Sequence, residues 1–193
     1  MIIINKAAIA FFFGFLSIVV RDKLRRENIK YREINDIAWK IREKDYIFYL
    51  NEIIPTFSLI NTNIQLINKD EEFIKCILLC FICTIQRYFI AKLTILPPIK
   101  NYSIVKYKYL NIFNQVDGND YIFSGHVGFT FILNYFISKK LAFILSILET
   151  ITSSISRQHY TIDGIFAIII CHYTIIIIDI DNNYYIKKLI ELL

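Results

Sequence analysis

The stretch "RQHYTIDG", residues 157–164, sets His159 and Asp163 four residues apart at the head of a long apolar run. On a helix such positions lie one above the other on the same face, so the carboxylate can reach one imidazole nitrogen. That pairing fixes the tautomer, leaves the other ring nitrogen as a nucleophile and steadies the cation that develops on it. A second histidine, His126, stands six residues into "DYIFSGHVGFT", residues 120–130. Arriving on a separate helix, it can act as general acid and base. A histidine nucleophile suits phosphorus, because a phosphohistidine intermediate splits the displacement of one alcohol by another into two steps. The bland alternative is that each ring only hydrogen-bonds a backbone carbonyl between helices. Two histidines and a helix-spaced aspartate at matched depth count against it. Zinc is the other rival use of imidazoles and carboxylates, but no His-Glu-x-x-His pattern is present. No metal and no cofactor are expected.

The segments that must hold these residues are exceptionally apolar. Of 193 residues 55% are hydrophobic, with five glycines and three prolines. Several runs approach the ~20 residues needed to cross a bilayer. An isoleucine-rich β protein would show turn signals every 8–12 residues, roughly, and none recur here. The expected fold is an all-α, polytopic membrane helix bundle of about six transmembrane helices, forming one domain over residues 1–193. The spans are placed at about 2–20, 46–67, 73–96, 121–137, 141–156 and 160–178. Alternate crossing then puts Glu52, Arg87, His126, Glu149, His159 and Asp163 in one half of the membrane, the half opposite the N-terminus. Ionisable groups at such depth are expensive and normally face a bundle interior or a wet cavity.

Cys76, Cys80 and Cys83 share one helical face and Cys171 lies in another apolar run, which reads as small buried residues and not as a disulfide scaffold. His172, deeper than Asp163, reads as structural. The net charge of +5 is diffuse, and no nucleic-acid partner is expected.

"GNDYIFSGHVGFT" followed by "HYTIDG" resembles the C-terminal signature of the sphingomyelin synthase-related family, a branch of the type-2 phosphatidic acid phosphatase superfamily. The third motif of that family runs approximately Cys-Gly-Asp-x-x-x-Ser-Gly-His; Asp120, Ser124, Gly125 and His126 match it, while Gly118 and Asn119 stand in place of its Cys and Gly. The fourth, His-Tyr-[Thr/Ser]-x-Asp, is matched by His159, Tyr160, Thr161 and Asp163. Upstream, "QRYFIAKLTILPP" is similar to a family stretch whose arginine aligns with Arg87, and "DYIFYLNEIIPT" to the family's second span. The Lys-x6-Arg-Pro pattern of ordinary lipid phosphate phosphatases is missing, and Arg157 lies two residues before the second histidine.

The resemblance implies a lipid phosphotransferase with ceramide and a glycerophospholipid as its two substrates, both delivered by the bilayer. His159, oriented by Asp163, would attack the phosphodiester and release diacylglycerol, with His126 protonating the leaving oxygen. The ceramide hydroxyl, deprotonated by His126, would then take the headgroup phosphate. Arg87 is the candidate for phosphate contact, with an ion pair to Glu52 as its structural alternative; Asp120 and Ser124 are candidates for bonding phosphate or histidine. The family implies a multi-pass protein of the Golgi, endoplasmic reticulum or plasma membrane. Two alternatives stay open: a lipid phosphatase or phospholipase C-like hydrolase using the same triad, and a non-catalytic lipid sensor or scaffold. Headgroup and oligomeric state are not legible. Orientation is contested, because residues 21–45 hold nine Lys/Arg against six acids on the histidine face. The positive-inside rule would put that face in the cytosol. The resemblance implies the lumen or exterior, and is followed here.

Overall fold

The structure, a computed structural model, describes residues 45–93, 122–156 and 158–178, together with Asp36 and Ala38. The expected first span, residues 2–20, lies outside the described residues, as does Asp120. Among the described residues the fold is all-α, with five principal helices: α1 (Asp45–Leu66), α2 (Asp70–Leu93), α3 (Gly125–Tyr135), α4 (Lys139–Ile155) and α5 (Thr161–Ile178).

Local chemistry sets several of their ends. Asp70, Glu71 and Glu72 occupy the first turn of α2, where negative charge complements the helix dipole. Ser124 caps α3, its hydroxyl accepting from Val127 N at 3.4 Å, and Ser138 caps α4 by accepting from Leu141 N at 3.4 Å. Between them the Asn134 carbonyl accepts from the amides of Ile137 and Ser138, closing the turn. Asp163, in the first turn of α5, reaches back to accept from Tyr160 N at 2.9 Å, the acidic half of a capping box. Pro55 sits inside α1 and has no N–H to offer the carbonyl of Asn51.

Within the expected fourth span, 121–137, the helix itself has 11 residues, Gly125–Tyr135. At 1.5 Å per residue it is about 16 Å long, roughly half a hydrocarbon core. Hydropathy alone does not register the Ser124 cap that delays its start. By length and composition, one described helix, over Asp70–Ile90, is able to cross a bilayer; Thr161–Ile177 is apolar but shorter. α1 is long enough, but Asn51, Glu52, Asn61, Asn63 and Gln65 interrupt it. The six crossings expected from the sequence thus exceed what the described helices establish.

The short α3 is the hub, packing against α1, α2, α4 and α5; α4 also packs against α1 and α5. An apolar core of Leu79, Phe123, Val127, Phe131 and Ile132 surrounds it. Polar ties join the helices: Thr62 donates to the Leu133 carbonyl at 2.9 Å, and Thr174 to Gln86 Oε1 at 3.0 Å. Two glycines permit close approach. A Cβ at Gly128 would stand 3.3 Å from Cys171 Sγ, and one at Gly164 would overlap the side chain of Thr150. The four cysteines are free thiols, buried except for the half-buried Cys80.

The distribution of polarity is inverted relative to a water-soluble bundle. Asn51, Ser146, Glu149, Ser153 and Asp163 are fully buried. Ile53, Phe57, Ile60 and Ile64 line the exposed side of α1, and Ile177 at the end of α5 is 77% exposed. Exposed apolar surface on this scale marks an interaction with something apolar.

Candidate active site

The capped start of α5 holds the first pair. Because residues 159 and 163 straddle the helix start, the imidazole lies above the carboxylate with His159 Nδ1 3.6 Å from Asp163 Oδ2. That is about 0.7 Å beyond an ordinary N–H···O bond, a looseness common in sites without substrate. Asp163 is fully buried and His159 is 8% exposed. The same Asp163 oxygen is anchored by Tyr160 N, so the carboxylate that faces the ring is itself held by backbone. From behind, His159 N and Gln158 N both donate to the carbonyl of Ser153 in the last turn of α4. The backbone that carries the ring is thereby held between two helices.

His126 comes from the first turn of α3. Its ring centre lies 6.5 Å from that of His159, with the planes inclined at 64°. This is too far for the rings to bond directly and near enough for one small group to touch both. Its Nε2 is buried and has no hydrogen-bond partner, which is uncommon for an interior polar atom and leaves it available to a bound molecule. A backbone bond from Ser124 N to the Asp163 carbonyl, 3.2 Å, ties the start of α3 to the start of α5 and sets the two histidines in register.

Arg87 completes the cluster from α2. Its Nε donates to the Phe123 carbonyl at 2.9 Å, and its guanidinium lies 3.5 Å from where a Cβ on Gly125 would be. The guanidinium thus lies against the start of α3, at the residue next to His126. A guanidinium next to a capped helix N-terminus is a natural anion site.

Of the residues singled out in the sequence, His126, His159, Asp163, Arg87 and Ser124 come together. Ser124 is fully buried and acts as the α3 cap. Glu52, the alternative partner for Arg87, lies half-buried on α1, the helix that packs against α4 and its fully buried Glu149. His172 lies apart among aromatic rings, 5.4 Å from Phe143 and 6.1 Å from Phe131. Among the described residues no group of three or more His, Cys, Asp or Glu side chains is arranged to hold a metal ion.

Sequence reasoning missed Asp36. Its carboxylate accepts from Thr161 N at 2.7 Å and from Thr161 Oγ1 at 2.6 Å, joining the charged segment before α1 to the first turn of α5. It also missed the buried bond from Asn51 Nδ2 to Gln158 Oε1, which fastens α1 to the residue beside His159. Both link positions more than a hundred residues apart, and no local pattern announces them.

Comparison of the chain with protein-family models, with curated proteins and with solved structures finds no match.

Proposed function

We propose that the protein is an integral membrane lipid phosphotransferase working through a phosphohistidine. The observation that carries this reading is the meeting of two imidazoles from separate helices, 6.5 Å apart, with a buried aspartate behind one and a guanidinium beside the other. His159 Nε2 attacks the phosphorus of a glycerophospholipid; the N–P bond forms, the P–O bond to glycerol breaks, and His126 gives its proton to the departing diacylglycerol oxygen. The ceramide hydroxyl then gives its proton to His126 and attacks the same phosphorus; the new O–P bond forms and His159 is released. Arg87 and the start of α3 bear the charge on the non-bridging oxygens.

Membrane residence is supported by the inverted polarity of the bundle, whose apolar exterior suits hydrocarbon and whose interior gathers the ionisable groups. The reading is that the helices form a polytopic bundle, with the site close to one interface and both substrates arriving laterally.

Reconstitution of the purified chain with labelled ceramide and a panel of phosphatidylcholine, phosphatidylethanolamine and phosphatidylinositol tests it. Label in a new phosphosphingolipid is the expected result. Diacylglycerol without that product would replace transfer by hydrolysis, and neither product would leave a non-catalytic sensor or scaffold.

A further inference from the structure

Asp36 reaches the site from outside the five helices. Its Oδ2 accepts from Thr161 N at 2.7 Å, and its Oδ1 accepts from Thr161 Oγ1 at 2.6 Å. Oδ1 also accepts from Ala38 N at 2.9 Å, so the carboxylate is steadied by its own turn. The hydroxyl bond has the short length of an O–H donor on an ionised carboxylate. A single half-buried acid thus grips both the backbone and the side chain of one residue.

That residue stands midway between the two members of the His159–Asp163 pair. His159 precedes α5, which begins at Thr161, so helical geometry alone does not fix where its ring stands over the carboxylate. Three groups hold the intervening turn. The Ser153 carbonyl takes the amides of Gln158 and His159, Asp163 Oδ2 takes that of Tyr160, and Asp36 takes that of Thr161. Four successive peptide groups are therefore held, and Asp36 supplies the last point.

A helix cap alone does not require this arrangement. A serine, threonine or aspartate at position 160 would satisfy first-turn donors locally. The chain has Tyr160 there and brings the acid from 125 positions away. A displacement of about 1 Å in a reacting group costs on the order of 10²-fold in rate. A clamp on the residue between histidine and aspartate therefore bears on the chemistry.

We infer that Asp36 is a positioning residue for the histidine pair: by gripping Thr161 it sets the turn at which His159 stands over Asp163. Its kinetic consequence rests on the phosphotransferase reading, whereas the placement of the ring rests on geometry alone. Because Asp36 acts through His159, its loss lowers kcat and leaves KM nearly unchanged.

The test uses the full chain in vesicles of phosphatidylcholine, phosphatidylethanolamine and phosphatidylinositol with ceramide. Diacylglycerol release is followed in Asp36→Ala, Thr161→Val and the double variant, well below their melting temperatures. Asp36→Ala is expected to lower kcat by about 10–100-fold with KM within about twofold of native. Thr161→Val keeps the amide and loses the hydroxyl, so its loss should be smaller. The double variant should be no slower than Asp36→Ala, because the two residues act through one contact. The chain has three histidines, so isotopic labelling of histidine for magnetic resonance gives three ring systems, that of His159 being identified by its absence from His159→Ala. In Asp36→Ala the His159 ring resonances should shift while those of His172 stay in place. A native kcat, a change confined to KM, additive losses in the double variant or an unmoved His159 resonance would each overturn the inference. So would a lowered melting temperature with those readouts unchanged, which is the behaviour of a cap alone. Thr161→Val decides by the same readouts if Asp36→Ala does not fold. A shifted His159 resonance in a protein that releases no diacylglycerol would keep the positioning role and overturn the phosphotransferase reading.

Discussion

Asp163 has two jobs that can be separated. It faces His159 Nδ1 and it accepts the Tyr160 amide at the head of α5. Asp163→Asn keeps a capping acceptor but loses the charge that steadies an imidazolium; turnover should fall by on the order of 10²–10⁴-fold with little change in melting. Asp163→Ala should lose a similar amount of activity and, in addition, about 1 kcal/mol of stability. Equal stability of the two variants would remove the capping role. His126 is distinguishable from His159 by leaving group. With an aryl phosphodiester, whose phenolate leaves without a proton, the first-turnover release of phenolate should be far less impaired in His126→Ala than the first-turnover release of diacylglycerol from a natural lipid; equal impairment of the two would contradict its role as the acid. These residues were legible because their spacing carries meaning: the i, i+4 pair declares a shared helical face. Asp36 was not, since its tie to Thr161 spans 125 positions and depends on how the chain returns.

Helix boundaries and contacts determine whether those residues meet. Sequence placed four of the five described helices within a few residues of their observed ends, because long apolar runs are strong signals. The exception is α3, where hydropathy reads through the Ser124 cap and the Asn134 turn that shorten it to 11 residues. The crossing of α4 and α5 was hidden as well, for it depends on Gly164 accepting Thr150 against its backbone. Gly164→Ala should destabilise the protein by about 1–3 kcal/mol through overpacking. Adding Thr150→Ser, which removes the overlapping methyl group, should restore part of that loss. A thermal or denaturant titration of the two variants checks it, and a fully stable Gly164→Ala would show that the helices are able to separate there without cost.

At the scale of the whole molecule, the inverted polarity makes a simple demand. A chain with Ile53, Phe57, Ile60 and Ile64 outward and Asn51, Glu149 and Asp163 inward should stay with membranes through an alkaline carbonate wash and leave them only in detergent. Release by carbonate would contradict the membrane reading. Composition made the apolar exterior legible, whereas the polar interior required the packing, since an isolated serine or asparagine in an apolar run does not declare which way it faces. Orientation is tested by single cysteines introduced near Ser103 and Arg157 in an otherwise cysteine-free chain. They should react with an impermeant reagent from the lumenal or outer side.

The decisive measurement is direct capture of the intermediate. The panel lipid that supports turnover, labelled in its headgroup, is supplied without ceramide, the reaction is quenched at alkaline pH, where phosphohistidine survives, and the modified peptide is sequenced by mass spectrometry. A headgroup phosphoramidate on His159, absent from His159→Ala and discharged by added ceramide, is the expected result. Turnover that proceeds with the label on another residue, or undiminished in His159→Ala, would contradict the convergence of these two histidines on one phosphorus as the basis of the protein's chemistry.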